Sequence, residues 1–514
     1  MTAMPLGAWQ WVPALAPIAV LLVVILILRR SATQGGLLAW GAALLLGWAL
    51  FGAGADDLAI GSLRGLVFSF EVLYIIWPAL FLYQIVVEAG ATRGIGIGIR
   101  ALTRDRVLQI LILGFAFTSF LQGVASFGVP VAVGAPLLLG LGFRPMQATL
   151  APLIGHAWAV TLGGMASSFL ALRAVTGLPG HELGLWTAGL LGLTCIGTGF
   201  LVAHLVGGWK GIRRDWWEAA AIGGSMAAVQ FLLAWFDYWI IASFGAGLAG
   251  LLVGVALTRL SSRRPEGERR GGMRELHYAL APYYALICIV AAATFLPPLR
   301  WALHLGDVPV PLPKTTTALG WTVGAVTPRL QLLAHPGALI LYTCGVALAW
   351  YGRLGTGHLE VRAVARRTVW LGLPATGAVL CMMMLATVMS GTGMTFVLAR
   401  AAIDVTGRAY PFVAPFVGLL GCFVTGNNTT SNVLFGTVQR DAAMLLRVNP
   451  FLMAALQTTG GALGGMVTPA KVLMACATVG LRGQEGAVIR RALGPCLALT
   501  ALAGLGGLVA ALLS

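Results

Sequence analysis

Long apolar runs, separated by short polar segments that carry arginine, make up most of this chain. Each run is about twenty residues long, the length that an α-helix needs to cross the roughly 30 Å hydrocarbon core of a bilayer. The first occupies about 13–28 and the last about 493–513. The pattern predicts an all-α polytopic membrane protein with about 12–14 transmembrane helices.

Two uncharged polar stretches, the hairpin motifs 121–134 and 425–436, interrupt the apolar sequence. Backbone this rich in Gly, Asn and Thr lies at membrane depth only where protein buries it or where it lines a cavity, because lipid cannot hydrogen-bond it. Secondary transporters build substrate and ion sites from such unwound backbone between half-helices. We therefore predict broken helices or re-entrant hairpins whose tips hold a small ligand.

The candidate substrate-binding residues are the small and uncharged polar residues of these tips and of a third polar patch that follows them. They are Gln122, Gly123, Ser126, Phe127, Gly128, Thr425, Gly426, Asn427, Asn428, Thr429, Thr430, Ser431, Asn432, Thr458 and Thr459. For the first motif, close helix packing through small residues explains the pattern equally well. For the third patch, a polar turn at the membrane surface is the alternative.

Three ionisable residues within or beside apolar runs, Glu71, His156 and Lys471, are candidates for carrying a coupled ion. An ionisable group inside a span costs free energy, so each is a functional hypothesis, and histidine titrates near neutral pH. The alternative for His156 is a hydrogen-bonded structural histidine. The alternative for Lys471 is a side chain that extends to water.

The placement of arginine predicts the topology. Loops rich in Arg are expected in the cytoplasm, which puts both termini outside. The basic stretch 259–274 is then a cytoplasmic linker between a first membrane repeat, 61–258, and a second, 275–514, with peripheral N-terminal helices in 1–60. A longer amphipathic exterior segment is expected before His335. The two hairpin motifs then enter from opposite faces, so we predict two inverted repeats.

Composition narrows the class of function. The chain is 58% hydrophobic and 10% charged, against about 25% charged residues in soluble domains. Its net charge is +16, and the arginines lie in short loops between apolar runs. This placement is typical of loops that orient a protein in a lipid bilayer, so we do not expect nucleic-acid binding. The seven Cys are scattered without a Cys-x-x-Cys pair, so no metal and no cofactor is expected. The sequence contains no nucleophile elbow and no Walker loop, so we expect that the protein is not an enzyme. A homodimer is compatible with the sequence.

At these motifs the chain resembles the L-lactate permease family of lactate and glycolate transporters. The residues that carry the resemblance are Trp77-Pro78, Gly128, Pro130-Val-Ala132, Leu139-Gly-Leu-Gly-Phe143, Arg144-Pro145, Thr425-Gly426, Thr429, Ser431-Asn432, Leu434-Phe435, Gln439, Thr458-Thr-Gly-Gly461, Met466 and Pro469. The resemblance implies symport of a small monocarboxylate with a proton across the bacterial inner membrane. It also implies the inverted-repeat architecture of the wider ion-transporter superfamily.

Four positions depart from the family pattern. Gln122 and Asn428 stand where the family has Glu and Asp, Gly465 stands where it has Lys, and His156 stands where it has Asn. The resemblance therefore implies that two acids and one base are absent together, which leaves no unpaired buried charge. A carrier of another organic anion, an uncoupled uniporter and a passive channel stay open as alternatives.

Overall fold

The computed structural model describes residues 10–28, 30–90, 105–124, 128–260, 272–354 and 360–513. Within these ranges the chain is almost entirely α-helical. The helices are α1 Trp11–Leu22, α2 Ala32–Leu50, α3 Ala55–Glu88, α4 Arg106–Ile110, α5 Thr118–Val124, α6 Val129–Gly140, α7 Pro145–Gly155, α8 Ser167–Thr176, α9 Gly180–Trp235, α10 Trp239–Leu260, α11 Gly272–Phe295, α12 Pro297–His304, α13 Pro336–Leu354, α14 Val361–Gly391, α15 Met394–Thr406, α16 Tyr410–Thr425, α17 Asn428–Leu446, α18 Pro450–Gly464, α19 Pro469–Val479 and α20 Glu485–Leu513.

Short segments of tighter or wider helix accompany them. A π-helix, Val23–Ile27, extends α1, and a second, Leu111–Phe117, joins α4 to α5. Single 3₁₀ turns lie at Ala157–Ala159 and Gly407–Ala409. Helix α9 bends at Gly208 and Asp215, where the backbone leaves helical geometry.

The described residues contain ten helical segments that are long and apolar enough to cross a membrane. Some of these segments combine two consecutive helices, as Met394–Thr425 and Pro450–Val479 do. Three shorter apolar helices, Trp11–Ile25, Val129–Gly140 and Pro336–Gly352, accompany them. The chain is thus a multi-pass membrane protein, and the predicted all-α class with broken helices is confirmed.

The same order of interrupted elements occurs twice. In the first half, a hairpin formed by α4, α5 and α6 precedes α7 and α8, which are separated by the non-α stretch 156–166. In the second half, a hairpin formed by α16 and α17 precedes α18 and α19, which are separated by 465–468. We call these two stretches the first break and the second break. This order supports the predicted pair of repeats.

The backbone conformation at the interruptions follows from residue type. Gly128 and Gly426 adopt φ angles of 87° and 91°, in the left-handed region that glycine enters without a steric penalty. In the first break, Met165 and Ala166 are also left-handed, at 57° and 60°. Such strain persists in alanine and methionine only where the surroundings hold it, and it is common at functional sites.

The segment between α12 and α13 contains strands that the sequence pattern did not predict. Strand β1 Asp307–Pro309 pairs antiparallel with β4 Arg329–Gln331, and β2 Thr315–Thr316 pairs with β3 Thr322–Val323. We call 307–331 the ribbon. Strands of two or three residues leave no readable alternation of polar and apolar positions, so hydropathy could not reveal them.

Candidate functional site

A buried hydrogen-bond network joins the start of α17 to both broken helices. The side-chain amide of Asn428 donates to Oγ1 of Thr161 at 3.0 Å and to Oγ1 of Thr458 at 3.3 Å. Oγ1 of Thr161 in turn donates to the carbonyl of Thr458 at 3.1 Å. Asn432, one turn along α17, donates to the carbonyl of Ser168 at 2.9 Å and to Thr458 at 2.7 Å. The second hairpin is therefore bonded to residues of both halves of the chain.

The network fixes the orientation of the two asparagine amides. The carbonyl of Ser168 can only accept, so Nδ2 of Asn432 must face it. The Thr161 hydroxyl already donates to a carbonyl, so Nδ2 of Asn428 must donate to Thr161. The Oδ1 atoms of both asparagines are buried and lack a hydrogen-bond partner. Two acceptors are therefore left over for another molecule.

Three predicted residues shape the turn of the second hairpin rather than reach into the network. Oδ1 of Asn427 accepts from the backbone N–H of Thr430 at 2.9 Å, which caps the start of α17. The hydroxyl of Thr430 donates to the same oxygen at 3.1 Å. Thr425 donates to the carbonyl of Gly421 at 2.7 Å, at the end of α16. With Gly426 at the turn, these bonds hold the tip in one conformation.

The other predicted residues of α17 brace it against its neighbours. Oγ1 of Thr429 lies 2.9 Å from Oγ of Ser168 on α8. Ser431 donates to the carbonyl of Gly418 on α16 at 2.8 Å and accepts from Nε2 of Gln457 on α18 at 3.1 Å. Every hydroxyl of this turn is thus used within the protein.

The first hairpin reaches the first break. The carbonyl of Gln122 accepts from the backbone N–H of Gly164 at 2.7 Å, while its side-chain Oε1 is buried without a partner. A Cβ on Gly123 would overlap the backbone of Phe244 on α10, so Gly123 serves close helix packing. Ser126 and Phe127 lie outside the described residues.

Lys471, in the first turn of α19, lies where the interrupted elements meet. It is 8% exposed, and no carboxylate among the described residues forms an ion pair with it. A Cβ on Gly465 of the second break would lie 2.9 Å from Nζ of Lys471. A Cβ on Gly128, at the tip of the first hairpin, would lie 3.8 Å from its Cγ. The missing side chain at residue 465 therefore makes room for the Lys471 amine, so a base is present in this region after all.

His156 is the first residue of the first break, and its side chain is fully buried. Nδ1 of His156 lies 2.5 Å from the carbonyl of Pro152, so Nδ1 carries the proton and donates. Nε2 is buried without a hydrogen-bond partner, and so is Oγ1 of Thr459. Glu71 lies on α3, where its side chain is partly buried.

The sequence pattern did not single out Thr161 of the first break or Ser168 in the first turn of α8, and both take part in the network. Both lie in Thr161-Leu-Gly-Gly-Met-Ala-Ser-Ser168, a polar, glycine-containing interruption of apolar sequence. That is the same signal that identified the two hairpin motifs. An amine without a counter-charge among the described residues, together with unpaired acceptors on the interrupted elements, suits an anion that also carries a hydrogen-bond donor.

Comparison with known proteins gives consistent matches. The family model described as L-lactate permease matches residues 10–514. The L-lactate permease of Escherichia coli K12 is 31% identical over 461 residues, which cover 84% of this chain and 83% of that protein. Glycolate permease GlcA of the same organism is 27% identical over 518 residues, covering 93% and 91%.

A solved structure shows a similar fold. The YdaH transporter of Alcanivorax borkumensis, whose crystal structure is described as having an unusual topology, aligns with a TM-score of 0.51 at 13% sequence identity. The alignment covers 97% of this chain and 98% of that one.

Proposed function

The chain belongs to the L-lactate permease family. We propose that it is a secondary active transporter of a small 2-hydroxymonocarboxylate such as lactate or glycolate. We place it in the bacterial inner membrane and propose that a proton moves with the substrate. The observation that carries the proposal is Lys471, a buried lysine without a counter-charge among the described residues, at the meeting point of the interrupted helices.

The substrate carboxylate binds the Lys471 amine. A buried ammonium without a partner costs several kcal/mol, and a carboxylate that arrives with good geometry offsets much of that cost. The start of α19 adds backbone N–H groups that have no partner within the helix, and these also favour an anion. The carboxylate of the substrate would thus supply the negative charge that Lys471 lacks.

The substrate hydroxyl supplies a donor for one of the unpaired acceptors. Gln122 Oε1, His156 Nε2 and Asn428 Oδ1 are buried acceptors without hydrogen-bond partners. A carboxylate offers acceptors only, so it cannot satisfy them, whereas the 2-hydroxyl of lactate or glycolate is a donor. A site built to bond a substrate hydroxyl discriminates against an analogue that lacks it, because its own polar atoms then stay unpaired.

We expect purified protein in proteoliposomes to catalyse counterflow of labelled lactate against internal lactate or glycolate. Propionate and acetate, which lack the hydroxyl, are expected to drive it at least about tenfold less well. Counterflow is the property that separates a carrier from a passive channel, since a channel gives no transient accumulation. Equal counterflow with lactate and propionate would contradict the role of the hydroxyl, and its absence with every carboxylate would contradict the carrier.

For alternating access we propose that 61–258 and 275–514 are inverted repeats joined by the linker 259–274. The repeated order of hairpin and broken helix supports this. Because the Asn428, Thr161 and Thr458 bonds connect the two repeats, the interrupted elements of both halves are held together at the site.

For proton coupling we propose that Glu71 or His156 carries the proton. In the Glu71→Gln/His156→Ala variant, we expect lactate counterflow to be weakened by the loss of the His156 acceptor but to persist. An imposed pH gradient is expected no longer to drive accumulation, because neither residue then titrates. Persistent counterflow shows that the variant is folded. Accumulation that still follows the pH gradient would exclude both residues and leave Lys471 as the remaining candidate.

A further inference from the structure

A cavity that contains two arginines lies at the other ends of α8 and α17 from the network. It has a volume of about 150 Å³ and is lined by α3, α8, α14, α17 and the ribbon. Its polar lining includes Arg64, Thr176, Ser390, Thr437 and Arg440. Thr437 lies about 13 Å along α17 from Asn428, at 1.5 Å per residue, so this cavity is separate from the network. We call it the ribbon cavity.

One positive charge in the ribbon cavity is not compensated. Nη2 of Arg64 donates to the carbonyls of Pro313 at 2.5 Å and Gly324 at 2.9 Å, which fastens the ribbon to α3. Arg64 is 7% exposed, its Nε is buried without a hydrogen-bond partner, and no carboxylate among the described residues pairs with it. Carbonyl oxygens satisfy N–H groups but supply no counter-charge, so the guanidinium lacks an anion.

The second arginine is already neutralised. Nη2 of Arg440 lies 2.9 Å from Oδ1 of Asp441, and Nη1 donates to the carbonyl of Thr176 at 3.1 Å. Asp441 is 1% exposed and also accepts from Thr395 at 2.8 Å. The pair adds no net charge, so among the described lining residues Arg64 alone gives the ribbon cavity a positive charge.

A further unpaired group lies in the wall of the ribbon cavity. Thr437 lines the ribbon cavity and is 2% exposed, yet its Oγ1 is buried and makes no hydrogen bond within the protein. Unpaired buried polar groups are rare, since each costs about 1–3 kcal/mol. A hydroxyl and the Nε of a guanidinium are both donors, and a carboxylate accepts from both.

We propose that the ribbon cavity is a second binding site for a small carboxylate, which holds the anion between the ribbon and α17 before or after it occupies the site at Lys471. The identity of the ligand as a carboxylate rests on the proposed function, whereas the site itself rests on Arg64 and Thr437. Single occupancy follows from one uncompensated charge and a volume of about 150 Å³.

Equilibrium binding of radiolabelled lactate to purified protein tests the proposal. Wild type is expected to bind two lactate molecules per chain and Lys471→Ala one. Adding Arg64→Gln to Lys471→Ala is expected to remove that remaining site, whereas adding Arg329→Gln is expected to retain it. Arg329 is an exposed arginine of β4 that does not line the ribbon cavity, which makes it the matched control.

A second variant is needed because Arg64 also bonds the ribbon, so that Arg64→Gln could disturb the fold. Thr437→Val in the Lys471→Ala background keeps the shape and breaks no bond within the protein, and it is expected to weaken lactate binding about threefold or more. If wild type transports lactate but Lys471→Ala binds none, the ribbon cavity is not a carboxylate site. The same conclusion follows if Arg64→Gln and Thr437→Val, each added to Lys471→Ala, leave lactate binding unchanged. If wild type binds no carboxylate at all, the proposed function fails with it.

Discussion

Lys471→Ala is expected to lower lactate uptake into proteoliposomes by at least about 100-fold, because it removes the positive charge that binds the carboxylate. Breaking a buried charge pair by removing one partner costs about 3–5 kcal/mol, and each 1.4 kcal/mol is a factor of ten. The side chain makes no ion pair with a described residue, so its loss leaves no carboxylate unpaired. Initial rates of uptake, normalised to the amount of reconstituted protein, are the measurement.

Two variants give this experiment its controls. Lys314→Ala removes an exposed lysine of the ribbon and is expected to leave uptake unchanged. Gly465→Ala places a methyl group 2.9 Å from the position of the Lys471 Nζ and displaces the amine, so uptake should fall by about tenfold. In the Lys471→Ala background the same substitution should have no further effect, because the displaced group is gone. Independent, additive effects of the two substitutions would contradict the proposed contact.

Asn428→Ala is expected to reduce uptake by about 30-fold, since it removes the bonds to Thr161 and Thr458 together with a predicted acceptor for the substrate hydroxyl. Two hydrogen bonds at about 1 kcal/mol each correspond to a factor of this size. The first break and the second hairpin would then lose part of what connects them. Uptake and thermal unfolding in detergent are measured on the same preparation.

Neighbouring residues separate this effect from a general loss of stability. A Cβ on Gly461 would overlap Oδ1 of Asn428, so Gly461→Ala should displace the amide and lower uptake in the same way. Thr500→Val removes a buried hydroxyl that donates to the carbonyl of Cys496 at 2.8 Å on α20, outside the network. It should lower the unfolding temperature without a specific loss of uptake. Normal uptake by both Asn428→Ala and Gly461→Ala would exclude Asn428 from the site.

The network gives the polar residues of the second hairpin motif different roles. Asn427, Thr430 and Thr425 satisfy backbone groups at the turn, whereas Asn428 and Asn432 direct their amides to the other half of the chain. The uncharged Asn428 donates two hydrogen bonds here, which an ionised aspartate could not do. The amide of Asn428 is therefore needed for the hydrogen bonds to Thr161 and Thr458 that this network contains.

Hydropathy along the chain was enough to predict the class of the protein and the two hairpin interruptions. Hydropathy over twenty residues is a local property that the bilayer selects directly, so the apolar runs predict spans without knowledge of their neighbours. The motif that begins at Thr425 was readable for the same reason, because contiguous polar backbone in apolar sequence requires burial in protein. The same rule could have found the first break.

Which polar atoms meet and which stay unpaired became visible only in the folded protein. Thr161 bonds Asn428 across 267 residues of sequence, a distance over which spacing carries no information. Whether Lys471 extends to water or stays buried depends on the space that Gly465 leaves beside it, and that space exists only once the breaks have packed together. The same holds for Arg64, whose guanidinium is buried because the ribbon folds over it. Burial and hydrogen-bond geometry are properties of the packed chain, so no pattern along the sequence could specify them.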